Sequence, residues 1–297
     1  MNIEAIRYQG SANCYRLSNG VIELIIAADF GTRILHFGFV GEKNVFYVND
    51  PLEAARGKWD IYGGHRLWHA PEVDGRTNLP DNAPITIEDH GEFVRVIQPV
   101  EAGTQIVKEM DIFLHPDVPR VEIVHRLRNQ GMWDATLALW ALSVMRTGGM
   151  AIIPLPPRGT HPEDLLPAST LILWKYTDLS DARFRFGKRH LFIHQDVNAS
   201  TPQKIGASVP NGWAAYVNDQ QVFVKQFKYT EHVPYADMGS SLEIFTNSWM
   251  LELETLSPIV TIPPGKYAEH HERWTLARVE GAIVSDDDVD RVIRPLL

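Results

Sequence analysis

The sequence predicts an all-β fold: a sandwich of large antiparallel sheets with few, short helices. Three observations carry this. Apolar or alternating runs of four to ten residues, rich in Val, Ile, Phe, Tyr and Trp, recur along nearly the whole chain. Gly, Pro, Asn and Asp separate these runs as turn formers would. Helical periodicity is scarce, which argues against βαβ units and a parallel sheet.

In chain order, CYRLSNGVIELIIA reads as a hairpin around Asn19-Gly20, a pair suited to a type I′ turn in which both central residues need positive φ. RILHFGFV, NVFYV, EFVRVIQPV and QIVKEMDIFL continue the strands. In RVEIVHRLRN the alternation is strict, with Val121, Ile123, His125 and Leu127 on one face and Glu122, Val124, Arg126 and Arg128 on the other. His125 therefore sits in an otherwise apolar row. HLFIHQD, GWAAYVN, QVFVKQF, SLEIFTN, WMLELETLSPIVTI and ERWTLARVEG extend the pattern to the end of the chain. Short capped helices are expected in DPLEAARG, from Asp50, and in SDDDVDRVIRPL. PLPPRGTHPEDLLPAST reads as a surface excursion within one domain spanning residues 1–297, since strands of the same kind flank it and no fixed-period repeat is evident.

Composition narrows the function. The formal charge of -9 repels phosphate backbones, so no nucleic-acid partner is expected. The run ATLALWALSVM is far below the roughly 20 apolar residues a membrane-spanning helix needs, so no membrane partner is expected either. The opening MNIEAIRYQG lacks an apolar signal core, and Cys14 is the single cysteine; both fit a cytoplasmic protein. No G-x-S-x-G is present, and Cys14 has no nucleophile signature around it.

YGGHRLWHAPE concentrates chemistry. His65 and His69 have the spacing of zinc ligands on a helix, but Arg66 stands where that motif carries a Glu, and Gly63, Gly64 and Pro71 oppose a sustained helix. No metal and no cofactor are expected. The alternative is a loop in which Gly63 and Gly64 allow close backbone approach to a ligand, while His65, Arg66, Trp68 and His69 offer polar contacts and a flat ring. A plain aromatic turn, with Trp68 in the core, stands beside it. In WMLELETL, Glu252 and Glu254 share one strand face; a solvated face is the ordinary account, and for Glu252 the favoured one. The adjacent histidines of GKYAEHHERWTL must point to opposite faces, as at a solvated strand start. Asp237, in VPYADMGSS, is a loop residue and a weaker ligand candidate. The run DARFRFGKRH could attract an anionic sugar, although a solvated basic loop is the ordinary account.

Taken in order, FGTRILHFGFVGEKNVFYV, YGGHRLWHAPE, VEIVHRLRNQG, LWALSVMRTGG, LELETLSPIVTIPPG and HERWTL resemble the galactose mutarotase (aldose 1-epimerase) superfamily over most of the chain. The resemblance implies a β-supersandwich with a carbohydrate cleft. It also implies a general base, a Glu in a Leu-Glu-Thr context, which falls on Glu254. The family's histidine acid has no counterpart at LALWALSV, where Trp140 stands. His65, His69 or His125 would have to replace it, with His65 the first choice, and Arg66, Trp68, His69, His125, Trp140 and Asp237 are the substrate-binding candidates. The expected ligand is a small-molecule carbohydrate, its identity, its phosphorylation and the oligomeric state left open. The expected activity is interconversion of sugar anomers, or sugar binding alone in a degenerate cleft.

Overall fold

The computed structural model describes residues 1–49 and 62–297. The helix expected in DPLEAARG lies outside the described residues. The rest is a sandwich of two large, wholly antiparallel sheets. The first runs, in spatial order, Asn2–Tyr8, Ser11–Ser18, Ile22–Ala27, Arg33–Phe39, His65–Ala70, Ala135–Met145, Leu251–Leu256, Leu242–Thr246, Gln203–Ala207 and Leu171–Leu173. Val260–Ile262 pairs with the start of the long strand Ala135–Met145. The second runs Phe184–Phe186, His190–His194, Met150–Pro154, Trp213–Asn218, Gln221–Phe227, Tyr267–Arg278, Arg120–Asn129, Ile106–Leu114, Val94–Ile97 and Thr86–Asp89.

Local chemistry accounts for the elements. The opening hairpin forms as expected, but only Gly20 of the turn pair has positive φ; the Asn19 side chain instead accepts from the amides of Val21 and Ile22 and closes the turn itself. The C-terminal helix, Asp286–Val292, starts at Ser285, whose hydroxyl accepts from the Asp288 amide, and carries three aspartates in its first turn. Residues 155–170 form the irregular and mostly exposed connection predicted from their prolines.

Each strand divides its side chains between two faces, and that parity decides what meets what. Between the sheets, Phe37 and Phe46 from the first meet Phe223 and Trp274 from the second at ring-centroid distances of 5.6 to 6.0 Å. On the outer face of the second sheet, Val289 and Ile293 pack against Ile152, Phe192 and Val224. The outer face of the first sheet has an apolar cluster of its own, built on Trp68, Trp140, Leu142 and Leu256. That third layer carries the cleft.

Candidate functional site

One row of side chains crosses five strands of the first sheet on its outer face. Arg66 stands opposite Leu142, Leu142 opposite Glu254, Glu254 opposite Glu243, and Glu243 opposite Gly206. The next row sets Trp68, Trp140 and Leu256 side by side. Lys204, two residues from Gly206 and therefore on the same face, reaches into this arrangement. Its Nζ lies 2.7 Å from Glu243 Oε2 and 3.3 Å from Glu254 Oε2. The same ammonium sits 4.8 Å from the ring centroids of both Trp140 and Trp174. Gly206 has no room for a side chain: a Cβ would come within 3.1 Å of the Trp174 ring and 2.2 Å of Ser240 Oγ. The bare backbone is what lets Trp174 lie down beside Lys204.

These groups bound a cavity of about 360 Å³ lined by Glu72, Asp74, Asn78, Trp140, Trp174, Lys204, Asp237 and Glu243. Glu254 lies behind Trp140 and Lys204, fully buried, with Trp140 Nε1 donating to its Oε2 at 2.9 Å and its Oε1 without a hydrogen-bond partner among the described residues. Burial pushes the Glu254 carboxyl up to about 8, with Glu252 and Glu243 adding to the rise against the opposing pull of Lys204. Burial likewise pushes Glu243 up to about 7; Lys204 opposes this and Asp237 reinforces it. For Lys204, burial works against the charge, but the two glutamates outweigh it and hold the ammonium protonated beyond the ordinary lysine range. The arrangement is a carboxylate pair around one fixed cation, walled by two indoles.

The opposite face of the same strands supports a second polar group, sealed between the sheets. His65 Nε2 is 2.7 Å from His125 Nε2, and His65 Nδ1 is 2.9 Å from Ser143 Oγ. His125 Nδ1 lies 3.0 Å from the His270 carbonyl, which can only accept, so the proton sits on Nδ1 and His125 Nε2 accepts from His65. Thr255 accepts from His270 Nε2 at 2.8 Å and donates to Glu272. Glu272 also receives Lys225 Nζ at 3.0 Å and Trp274 Nε1 at 2.8 Å. Burial alone would raise the Glu272 carboxyl, but Lys225 and the surrounding histidines hold it well below the usual carboxylate range. Burial drives His125 down to about 4 and His270 to about 3, and holds His65 well below its ordinary value.

His65, His125 and Glu272 have the composition of a divalent-metal site. Their geometry does not fit one. Two imidazole nitrogens on a tetrahedral zinc, each about 2.0–2.1 Å from it, stand roughly 3.3 Å apart, whereas these are at hydrogen-bond distance. Every ligand atom is already engaged within the network. The group is a self-satisfied core.

Known structures share this architecture. A candidate aldose 1-epimerase from Escherichia coli K12 superposes with a TM-score of 0.61 at 11% identity, covering 90% of this chain and 99% of the other. A galactose mutarotase-like protein from Lactobacillus casei gives 0.56 at 10% identity over 89% and 100% of the two chains. The fold is that of the galactose mutarotase-like proteins. A candidate aldose 1-epimerase from Klebsiella pneumoniae shares it with a TM-score of 0.59 at 12% identity over 99% and 86%. No family model matches the sequence, and no curated protein matches it.

Within this mutarotase-like sandwich the residues singled out from the sequence separate into two groups. Glu254, Trp140, Trp68, Arg66 and Asp237 lie on the cleft side. Arg66 stacks 4.2 Å over Trp68 and donates to Glu252 at 3.1 Å, so Glu252 is a buried ion-pair partner and not a solvated one. His65 and His69 face the other way, and His125 belongs to the second sheet. None of them opposes Glu254, which corrects the expectation that one would serve as the acid. The reason is strand parity: YGGHRLWHAPE is a strand from His65 to Ala70, not a ligand-holding loop, and alternate residues leave it on opposite sides. His69 is buried beside Lys108 and Glu101, pushed down to about 4 mainly by burial. Gly63 and Gly64, at φ 83° and 70°, admit neighbouring chain instead of a ligand: a Cβ would lie 2.1 Å from the Tyr47 carbonyl oxygen or 2.4 Å from that of Ile34. The adjacent histidines do diverge: His270 and Glu272 enter the core while Tyr267, Glu269 and His271 are exposed, so that strand start is solvated on one face only.

The basic run from 181 to 190 belongs to the second sheet, where Arg183 pairs with Asp181 and Arg189 with Asp287 and Asp290. Lys204, Glu243 and Trp174 were not anticipated. Their one signal was a charged residue within a strand-like run, Glu243 in SLEIFTN and Lys204 in QKIGA.

The described residues include no helix long and apolar enough to cross a membrane.

Proposed function

We propose that the chain binds a small-molecule carbohydrate in this cleft and interconverts its anomers as an aldose 1-epimerase does, with Glu254 as general base. The observation that carries the proposal is the state of Glu254. It is a fully buried carboxyl with one oxygen held by Trp140 and Lys204, the other unpartnered, and a proton affinity raised into the neutral range. A carboxylate tuned this way is a stronger base than an ordinary glutamate at neutral pH, which removing a proton from an anomeric hydroxyl requires. The indoles of Trp140 and Trp174 offer the flat apolar surfaces on which sugar C–H faces stack, and Asn78 and Asp237 supply hydrogen-bonding groups on the cavity wall. The shared fold supports the same reading.

A second reading has its own observation. Trp140 and Lys204 stand between Glu254 and the cavity, and Glu254 has no exposed surface. In that reading the cleft binds sugar without catalysis. Saturation-transfer NMR on a panel of hexoses and pentoses, with wild type and Glu254→Gln side by side, separates the two. Exchange in wild type that disappears in the variant, with binding retained, supports the epimerase. Saturable binding with exchange at the buffer rate supports the binding module.

A further inference from the structure

We infer that Glu243 is the proton-transfer partner of Glu254, so that the cleft works with a pair of carboxyls sharing one proton around Lys204 in place of a glutamate and a histidine. The inference rests on the anomer-exchange reading above and adds to it the identity of the acid.

The geometry carries it. The two glutamates face each other in register on neighbouring strands, and one ammonium lies within 3.3 Å of both. Glu243 is fully buried and lies on the cavity wall. Lys204 and Asp237 are the side chains that reach the Glu243 carboxyl, and Glu254 Oε1 has no hydrogen-bond partner among the described residues. The charges around the pair then limit it. Lys204 is the one cation in contact with both carboxyls; Arg66 and Lys225 also act on Glu254 but are paired with Glu252 and Glu272, and Asp237 presses further negative charge on Glu243. Binding one proton between the two relieves that negative charge. The raised proton affinities of both groups agree, and for sites coupled this closely they describe the pair. No histidine competes for the role: His65 and His69 are turned to the other side of the sheet, and His125 belongs to the second sheet.

The chemistry balances. With Glu254 ionised and Glu243 protonated, Glu254 takes the proton from the anomeric hydroxyl and the O1 electron pair forms the C1=O1 carbonyl. The C1–O5 bond breaks, and O5 takes the Glu243 proton. The pair still holds one proton, now on Glu254. Rotation about C1–C2 and the reverse steps close the ring as the other anomer and return the proton to Glu243. Both protonation states of the pair lie on the cycle, and Lys204 stays charged throughout, stabilising whichever carboxylate is ionised.

The test compares wild type, Glu243→Gln, Glu243→Asp and Glu254→Gln by saturation-transfer exchange across pH, with sugar binding measured on each protein as a check on folding. Glu243→Gln is expected to lose about 100-fold or more in exchange, the usual scale for removing a general acid or base, while still binding sugar. Glu243→Asp is expected to recover part of the loss, and the wild-type pH profile to be bell-shaped. Infrared spectra at neutral pH should show a protonated-carboxyl band in wild type that either glutamine variant removes. Unchanged exchange in Glu243→Gln, with Glu254→Gln inactive, would overturn the assignment of Glu243 and leave the epimerase reading standing. Wild type without exchange on any sugar would remove both.

Discussion

Trp140 Nε1 donates a 2.9 Å hydrogen bond to Glu254 Oε2, tying the floor of the cleft to its buried carboxyl. The bond favours the ionised form, because a carboxylate accepts an indole N–H better than a neutral acid does. Trp140→Phe keeps a ring in place and removes only the donor. It is expected to raise the proton affinity of Glu254 further and to shift any anomer exchange toward higher pH. It should also cost about 1.5–3 kcal/mol of stability where the carboxyl is ionised, the range for a hydrogen bond to a charged group. Urea unfolding of both proteins at pH 6 and pH 9 measures this. The cost must be larger at pH 9, and an equal cost at both would mean that the indole serves packing alone.

The two buried clusters give stability opposite dependences on pH. Glu243 and Glu254 have folded values near 7 and 8, above the ordinary 4.5, so the native chain binds protons the unfolded chain does not, and stability is lost as pH rises through 7 and 8. The groups facing the pair include Lys204, Glu252 and Asp237, and Lys204 remains a cation across this window. His36, His65, His69, His125, His194 and His270 have folded values below the ordinary 6.5, so the unfolded chain binds the extra protons and stability is lost as pH falls below 6.5. Each such proton tilts stability by about 1.4 kcal/mol per pH unit. Below pH 6.5 six histidines outnumber two carboxyls, so the stability maximum is expected at or just above pH 6.5. Denaturant midpoints from pH 4.5 to 9 test this; a curve that keeps climbing from 6.5 to 8 contradicts the raised glutamates.

Strand positions were legible wherever one face is apolar and the other polar. Val121, Ile123 and Leu127 announced their strand, and the same parity placed His125 correctly in the core. The segment after Gly64 was harder, because both of its faces are buried: His65, Leu67 and His69 serve the inter-sheet layer while Arg66 and Trp68 serve the cleft. A strand covered on both sides has no exposed row to reveal its parity, and two preceding glycines suggested a loop. Glu254 was legible from its neighbours in the chain. Lys204 and Glu243 were not, since what marks them is each other's position across strands 39 residues apart in number. Glu252 and Glu272 looked solvated for the same reason: their partners, Arg66 and Lys225, are remote in sequence.

The charge on the cavity wall bears on which sugar enters. Four of its lining residues are acidic, Glu72, Asp74, Asp237 and Glu243, and its one cation, Lys204, is already held between two glutamates. A phosphate group brought into this space meets like charge with no free counter-charge, at a cost of about 1 kcal/mol per pair at 4 Å in water and about 4 where the effective dielectric is near 20. A neutral hexose escapes that cost and keeps the stacking on Trp140 and Trp174. Neutral sugars are therefore expected to bind more tightly than their 6-phosphates. Added salt should narrow the gap, because mobile ions screen the exposed members Glu72 and Asp74 first. Calorimetric titration of one hexose and its 6-phosphate at low and high ionic strength decides it. Tighter binding of the phosphate at low salt would show that its charged group is held outside this cavity, by basic residues beyond the acidic wall.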